Sequence, residues 1–192
     1  MIFLWLLLGF WILISFAVLY LVVSELWRVV FFGGVPSLSS TWAIVDRVLA
    51  ERVLPTKGLI LDLGCSRGWT LRRFHKAGIA GPLVGYERAF SPWIVGAFWS
   101  WITMMPIKIV KDDYERAPIE EAYGIYLFLL PKAMTELAKI LAKRAKPETV
   151  IVCAEFPLPD WRPVSIFEAR GVTSRRSKIF VYKPVDSLSK SC

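Results

Sequence analysis

The chain has 192 residues, enough for one domain plus an anchoring segment but not for two full domains. Its composition is 55% hydrophobic with a formal net charge of +8, which points to a segment suited to lipid and a basic remainder. Three cysteines (Cys65, Cys153, Cys192) in unrelated settings exclude a disulfide framework. No Cys/His cluster has ligand spacing and His75 is the one histidine, so no metal is expected.

From Ile2 to Val23 the polar side chains are Ser15 and the hydroxyl of Tyr20. At ~1.5 Å per residue this run reaches roughly 33 Å, the thickness of a bilayer core. A basic start and a small-residue cleavage site are not evident, so an uncleaved single-pass anchor is expected. Residues 1–34 hold one base, Arg28, and one acid, Glu25, leaving all of the net charge to the rest of the chain. Positive charge stays on the inner side, which predicts a cell-membrane protein whose C-terminal domain is cytoplasmic. Gly33-Gly34 offers a hinge after the aromatic stretch Trp27–Phe32. The expected organisation is an anchor and hinge over 1–34, a domain over 35–183 and a flexible tail over 184–192.

Ser39 or Ser40 can cap a helix running to about Val53, with Trp42, Ile44, Val45, Val48 and Leu49 at helical spacing. Apolar, β-rich runs then alternate with helical ones. Strands are predicted at 58–62, 83–87, 107–111, 124–130 and 149–154, helices at 70–77, 92–103 and 132–146, and a short helix near 115–122. This alternation predicts an α/β fold, a parallel sheet with helices on both faces. Runs at 163–169 and 178–183, separated by a turn at Gly171, predict a closing hairpin.

The strongest local signal is Leu61-Asp62-Leu63-Gly64-Cys65-Ser66-Arg67-Gly68, a strand entering a glycine turn that opens a helix. A dinucleotide loop requires glycine at 64, 66 and 69, but 66 is Ser and 69 is Trp; a phosphate loop requires Gly-Lys-Ser/Thr, which is absent. The segment resembles instead the first motif of class I S-adenosylmethionine methyltransferases, Asp-x-Gly-x-Gly-x-Gly, with Ser66 in place of the middle glycine. That likeness implies a Rossmann-like class I sheet and assigns Asp62, Gly64, Ser66 and Gly68 to S-adenosylmethionine. Glu87 ends the next predicted strand, where a carboxylate can accept both ribose hydroxyls. Asp112 and Asp113 follow the third, in the region where these enzymes hold the adenine amino group; a solvated capping turn is the competing reading of that pair.

Four stretches carry a narrower likeness: Val35-Pro36-Ser37; Asp62 to Gly68; Val84-Gly85-Tyr86-Glu87 with Ser91-Pro92-Trp93; and Val152 to Trp161. In order and spacing they resemble the membrane-anchored protein-lysine methyltransferases whose mitochondrial members modify the ATP synthase c subunit and the adenine nucleotide translocase. The resemblance implies methylation of lysine on a membrane-protein substrate, with the bilayer as a partner. Departures are Ser66 and Arg67, where the family has a second glycine and an acid, and Arg88-Ala89-Phe90, which is expected to lengthen the turn after Glu87.

Methyl transfer needs a neutral amine aligned with the methyl group, and an apolar pocket favours the neutral amine. Pro36, Trp42, Leu130, Pro131, Phe156 and Pro157 are the candidate walls, and Glu155 is the candidate to orient or deprotonate the amine. Two further readings stand beside this one: the same chemistry on a lipid or quinone-like acceptor, and a non-catalytic membrane adaptor with a degenerate methyltransferase fold. No aromatic-interleaved basic stripe suggests nucleic acid.

Overall fold

The computed structural model describes residues 2–32, 42–170 and 176–187, with side chains at 3–24 and in the two later ranges. They fall into two units, Met1–Leu38 and Ser39–Cys192. Pro36, Gly171 and the residues after Ser187 lie outside the described set.

The first unit is one helix, α1 (Ile2–Phe32). Its Phe3–Ser24 stretch is long and apolar enough to cross a membrane, by length and composition. The Ser15 hydroxyl donates to the Trp11 carbonyl and the Ser24 hydroxyl to the Leu21 carbonyl, each at 2.9 Å. Both polar side chains are therefore satisfied within the helix, as a hydrocarbon surround requires.

In the second unit the order is α2 (Trp42–Ala50), β1 (Leu59–Leu63), α3 (Trp69–Lys76), β2 (Leu83–Tyr86), α4 (Phe90–Ile102), β3 (Ile107–Val110), β4 (Ala122–Leu127), α5 (Pro131–Arg144), β5 (Val150–Ala154), β6 (Ser165–Arg170), β7 (Arg176–Tyr182) and α6 (Pro184–Ser187). Two 3-10 turns, Tyr114–Arg116 and Ile119–Glu121, occupy the stretch predicted as a short helix. The strands form one sheet in the order β3-β2-β1-β4-β5-β7-β6. Strands β1 to β5 pair in parallel, whereas β7 is antiparallel to both β5 and β6.

Alternation along the strands divides the core into two layers, as expected for a sheet covered on both sides. On one face Leu61, Leu63, Ile125, Leu127, Ile151 and Cys153 meet Met134, Leu137 and Leu141 of α5. On the other, Ile60, Leu83, Tyr126 and Val152 meet Ile44, Val45 and Val48 of α2 and Leu71 and Phe74 of α3. Tyr126 is packing rather than chemistry, its ring edge-on to Phe74 at 5.6 Å.

Three boundaries differ from the sequence reading. Helix α2 stops at Ala50 rather than near Val53, because Arg52 is left-handed (φ 50°) and Leu54 precedes a proline. Helix α4 begins at Phe90, with Pro92 in its first turn where a missing N–H costs nothing, so the turn after Glu87 is only Arg88-Ala89 and is not lengthened. Residues 184–187 are not a flexible tail: they form α6, with Pro184 and Ser187 buried and the Ser187 hydroxyl accepting from the Lys183 amide at 3.2 Å.

Candidate active site

The strand order turns back between β1 and β4, since β2 and β3 lie on one side of β1 while β4 and β5 lie on the other. Such a reversal leaves a crevice at the carboxyl ends of the strands. Register places Leu63 beside Tyr86 and Leu127, Tyr86 beside Val110, and Leu127 beside Cys153. The residues just beyond them therefore share one edge: Gly64, Glu87, Lys111 to Asp113, Phe128 to Pro131, and Glu155 to Pro157.

The loop after β1 is shaped by what surrounds it. Gly64 (φ 85°) and Gly68 (φ 70°) take left-handed conformations, and a β-carbon on them would lie 2.5 Å from Leu129 Cδ2 and 2.6 Å from Ile109 Cδ1. Ser66 is also left-handed, at φ 50°. That value lies in the small region open to any L-residue, so serine is tolerated where the related motif has glycine, at a cost of roughly 1–2 kcal/mol. Its amide donates to Glu87 Oε2 at 2.9 Å, and the Ala89 amide donates to Glu87 Oε1 at 2.7 Å. Glu87 thus clasps the glycine loop to the start of α4.

Asp62, the last inward residue before the turn, is 3% exposed. Burial, followed by the nearby charge of Glu87, pushes its carboxyl up to about 8. Burial also raises the Cys65 thiol, which argues against a nucleophilic role. The Ser66 hydroxyl is buried without a hydrogen-bond partner. An orphaned hydroxyl, a buried acid and a glycine cradle at a switch point fit a polar, partly cationic ligand such as S-adenosylmethionine, which would satisfy the first and stabilise the ionised second.

The two aspartates after β3 stand at the same edge, in the turn that opens the 3-10 segment. Asp112 accepts from the Asp113 amide at 2.8 Å and pairs with Arg116 at 3.3 Å. Asp113 accepts from the Glu115 amide at 3.2 Å and pairs with Arg88 at 3.6 Å. Both act as capping residues here, and with Lys111, Glu115 and the two arginines they line a cleft of about 420 Å³.

The candidate wall residues separate into two groups. Leu130 and Pro131 open α5, and Phe156 and Pro157 follow β5, all at the carboxyl edge. Glu155 is held there in a left-handed conformation (φ 73°), its carboxylate accepting from the Ser177 hydroxyl at 3.1 Å. Trp42 begins α2 and meets the ring of Trp69, the first residue of α3, edge-on at 6.2 Å, with the Arg73 guanidinium 5.8 Å from its centre. It is 57% exposed, a rim residue beside the glycine loop rather than core.

Sequence reasoning missed Arg72, Trp69 and Leu129. Arg72 is 5% exposed; its guanidinium donates to the Arg67 carbonyl, to the Gly96 carbonyl at 2.8 Å and to Ser100 Oγ at 3.3 Å, tying the loop to α4. Nothing distinguishes it in the sequence from its neighbour Arg73, which pairs with Asp46 at the surface. Leu129 was concealed in an apolar run read as strand to residue 130, whereas β4 ends at Leu127.

The profile of the ANTKMT methyltransferase domain matches residues 62–165, more than half of the chain. Over 136 residues the chain is 26% identical to the adenine nucleotide translocase lysine N-methyltransferase of Mus musculus, a match covering 69% of this chain and 58% of that protein. It is 25% identical over 138 residues to a protein-lysine N-methyltransferase of Saccharolobus islandicus, covering 70% and 84% of the two chains. An RNA methyltransferase from Salinibacter ruber, solved with S-adenosyl-L-homocysteine, superposes with a TM-score of 0.70 at 21% identity, over 80% of this chain and 98% of that one. The last likeness is one of fold. The chain matches somewhat under two thirds of the length of the mouse relative. With its glycine loop, its Glu87 clasp and a profile match that starts at Asp62 and runs through β5, the chain belongs to the ANTKMT methyltransferase domain family.

Proposed function

We propose that the chain is an S-adenosylmethionine-dependent methyltransferase that modifies lysine side chains of membrane proteins, held by a single-pass anchor with its domain on the cytoplasmic side of the cell membrane. The observation that carries the cofactor assignment is the Glu87 carboxylate joining the Asp62–Gly68 loop to α4 at the switch point of the sheet. Two relatives named as lysine methyltransferases of membrane-associated proteins support the acceptor class, the apolar Phe3–Ser24 helix supports the anchor, and the net charge behind it supports the orientation.

S-adenosylmethionine supplies an electrophilic methyl group on a sulfonium. Glu87 accepts hydrogen bonds from the ribose hydroxyls, the backbone of Gly64 to Gly68 admits the methionine end, and Asp112 or Asp113 takes the adenine amino group. Trp42, Leu130, Pro131, Phe156 and Pro157 exclude water from the incoming lysine, lowering its ammonium pKa so that the neutral amine is available. Glu155, oriented by Ser177, accepts a hydrogen bond from that amine. The division 1–34, 35–183 and 184–192 separates anchor, enzyme and tail, with α6 extending the enzyme to Ser187.

Isothermal calorimetry of the full chain in detergent tests the cofactor step. S-adenosylmethionine should bind, and Glu87→Ala should weaken binding by about 1.5–3 kcal/mol, the range for hydrogen bonds to a charged acceptor. Absence of binding at millimolar ligand would overturn the assignment.

A further inference from the structure

Helix α4 presents an apolar face that nothing in the fold covers. Pro92, Gly96 and Ser100 are buried against the glycine loop and Arg72. On the opposite side Phe90, Ile94, Phe98, Trp101 and Ile102 recur at helical spacing and are 45%, 39%, 53%, 76% and 48% exposed. Met104, 88% exposed, continues the patch past the helix end. A helix apolar all round belongs in a core or in lipid, yet this one lies at the β3 edge with half its circumference in the open.

We infer that this face is a second membrane contact, lying in the interface of an anionic bilayer with its aromatic rings among the headgroups. Three observations favour lipid. The side chains are those that partition to the interface, and Trp predominates at the helix's end. From Arg88 to Lys111 the sequence holds three bases and no acid, and the Lys111 ammonium stands 5.3 Å from the centre of the Phe90 ring at the border of the patch. That charge pattern complements anionic headgroups. Finally, only residues 33–41 separate the apolar helix from α2, at most about 30 Å of extended chain, so a bilayer crossed by that helix stays within reach of the domain. The inference rests on the membrane span proposed above and adds an orientation to it. Because α4 begins two residues after Glu87 and is about 20 Å long, docking along its length sets the cofactor cleft beside the headgroups, where a lysine near a membrane surface would be met.

Site-directed spin labelling of the full chain in phosphatidylcholine–phosphatidylglycerol vesicles tests this. Cys65 and Cys153 are buried, so with Cys192→Ser a label can be placed by Trp101→Cys, and by Lys143→Cys on exposed α5 as the reference. Trp101 touches no core residue through its outer face, so the exchange spares the fold. The label at 101 is expected to collide several-fold less with an aqueous nickel chelate, and several-fold more with oxygen, than the label at 143. Equal nickel accessibility at the two sites would overturn the inference, as would protection at 101 that persists in detergent with dipolar broadening between labels, the signature of a second copy on this face. Carbonate extraction of the same vesicles separates the two readings: a chain that integrates but leaves position 101 in water retains the anchor and loses only the α4 contact.

Discussion

Asp62 and Glu87 show how one site assigns opposite states to two carboxyls. Glu87 takes two backbone amides and stays charged, whereas Asp62, buried beside it, holds its proton up to about 8. Since that value is raised above the ordinary 3.8, the folded domain prefers the neutral form. Its contribution to stability is full below about pH 4 and is lost as pH rises through about 8. A cationic ligand reverses the preference, because it favours the ionised carboxylate. Affinity for S-adenosylmethionine should therefore increase between pH 5.5 and 7.5, by at most about tenfold per unit, with release of a proton detectable in buffers of different ionisation enthalpy. Asp62→Asn should flatten the dependence. A slope that survives in that variant would place the titrating group elsewhere.

At the level of elements, two glycines separate site from scaffold. A β-carbon on Gly64 would meet the flexible end of Leu129, while one on Gly81 would collide with the backbone carbonyl of Gly58. Gly64→Ala should cost about 1–2 kcal/mol of stability, mainly from its left-handed backbone, and should weaken cofactor binding. Gly81→Ala should cost about 3 kcal/mol, because neither backbone can yield, while sparing affinity in the fraction that folds. Chemical denaturation paired with calorimetry checks both; equal losses of affinity would contradict the separation. The sheet was legible in the sequence because β1, β4 and β5 are continuous apolar runs, which a doubly covered parallel strand requires. The loop was legible because few sequences follow such a run with Asp-x-Gly-x-x-x-Gly. Arg72 was not, since its partners are carbonyls contributed by folding rather than by pattern, and the bare face of α4 was not, since composition alone reads that helix as core.

For the whole molecule, the proposed division of labour is that the apolar helix brings the domain to its acceptors and the glycine-loop edge performs the transfer. Every residue assigned to the cofactor lies between Asp62 and Asp113, within the segment matched by the family profile. Tethering raises the effective concentration of acceptors that share the bilayer and contributes nothing to the chemical step. The most direct test is mass spectrometry of membrane proteins from cells with the gene intact, deleted, and restored as wild type or Glu87→Ala. The account predicts methyl-lysine at one or more membrane-protein sites that disappears on deletion, returns with the wild-type chain and fails to return with Glu87→Ala. Methyl-lysine unchanged across all four strains would contradict it.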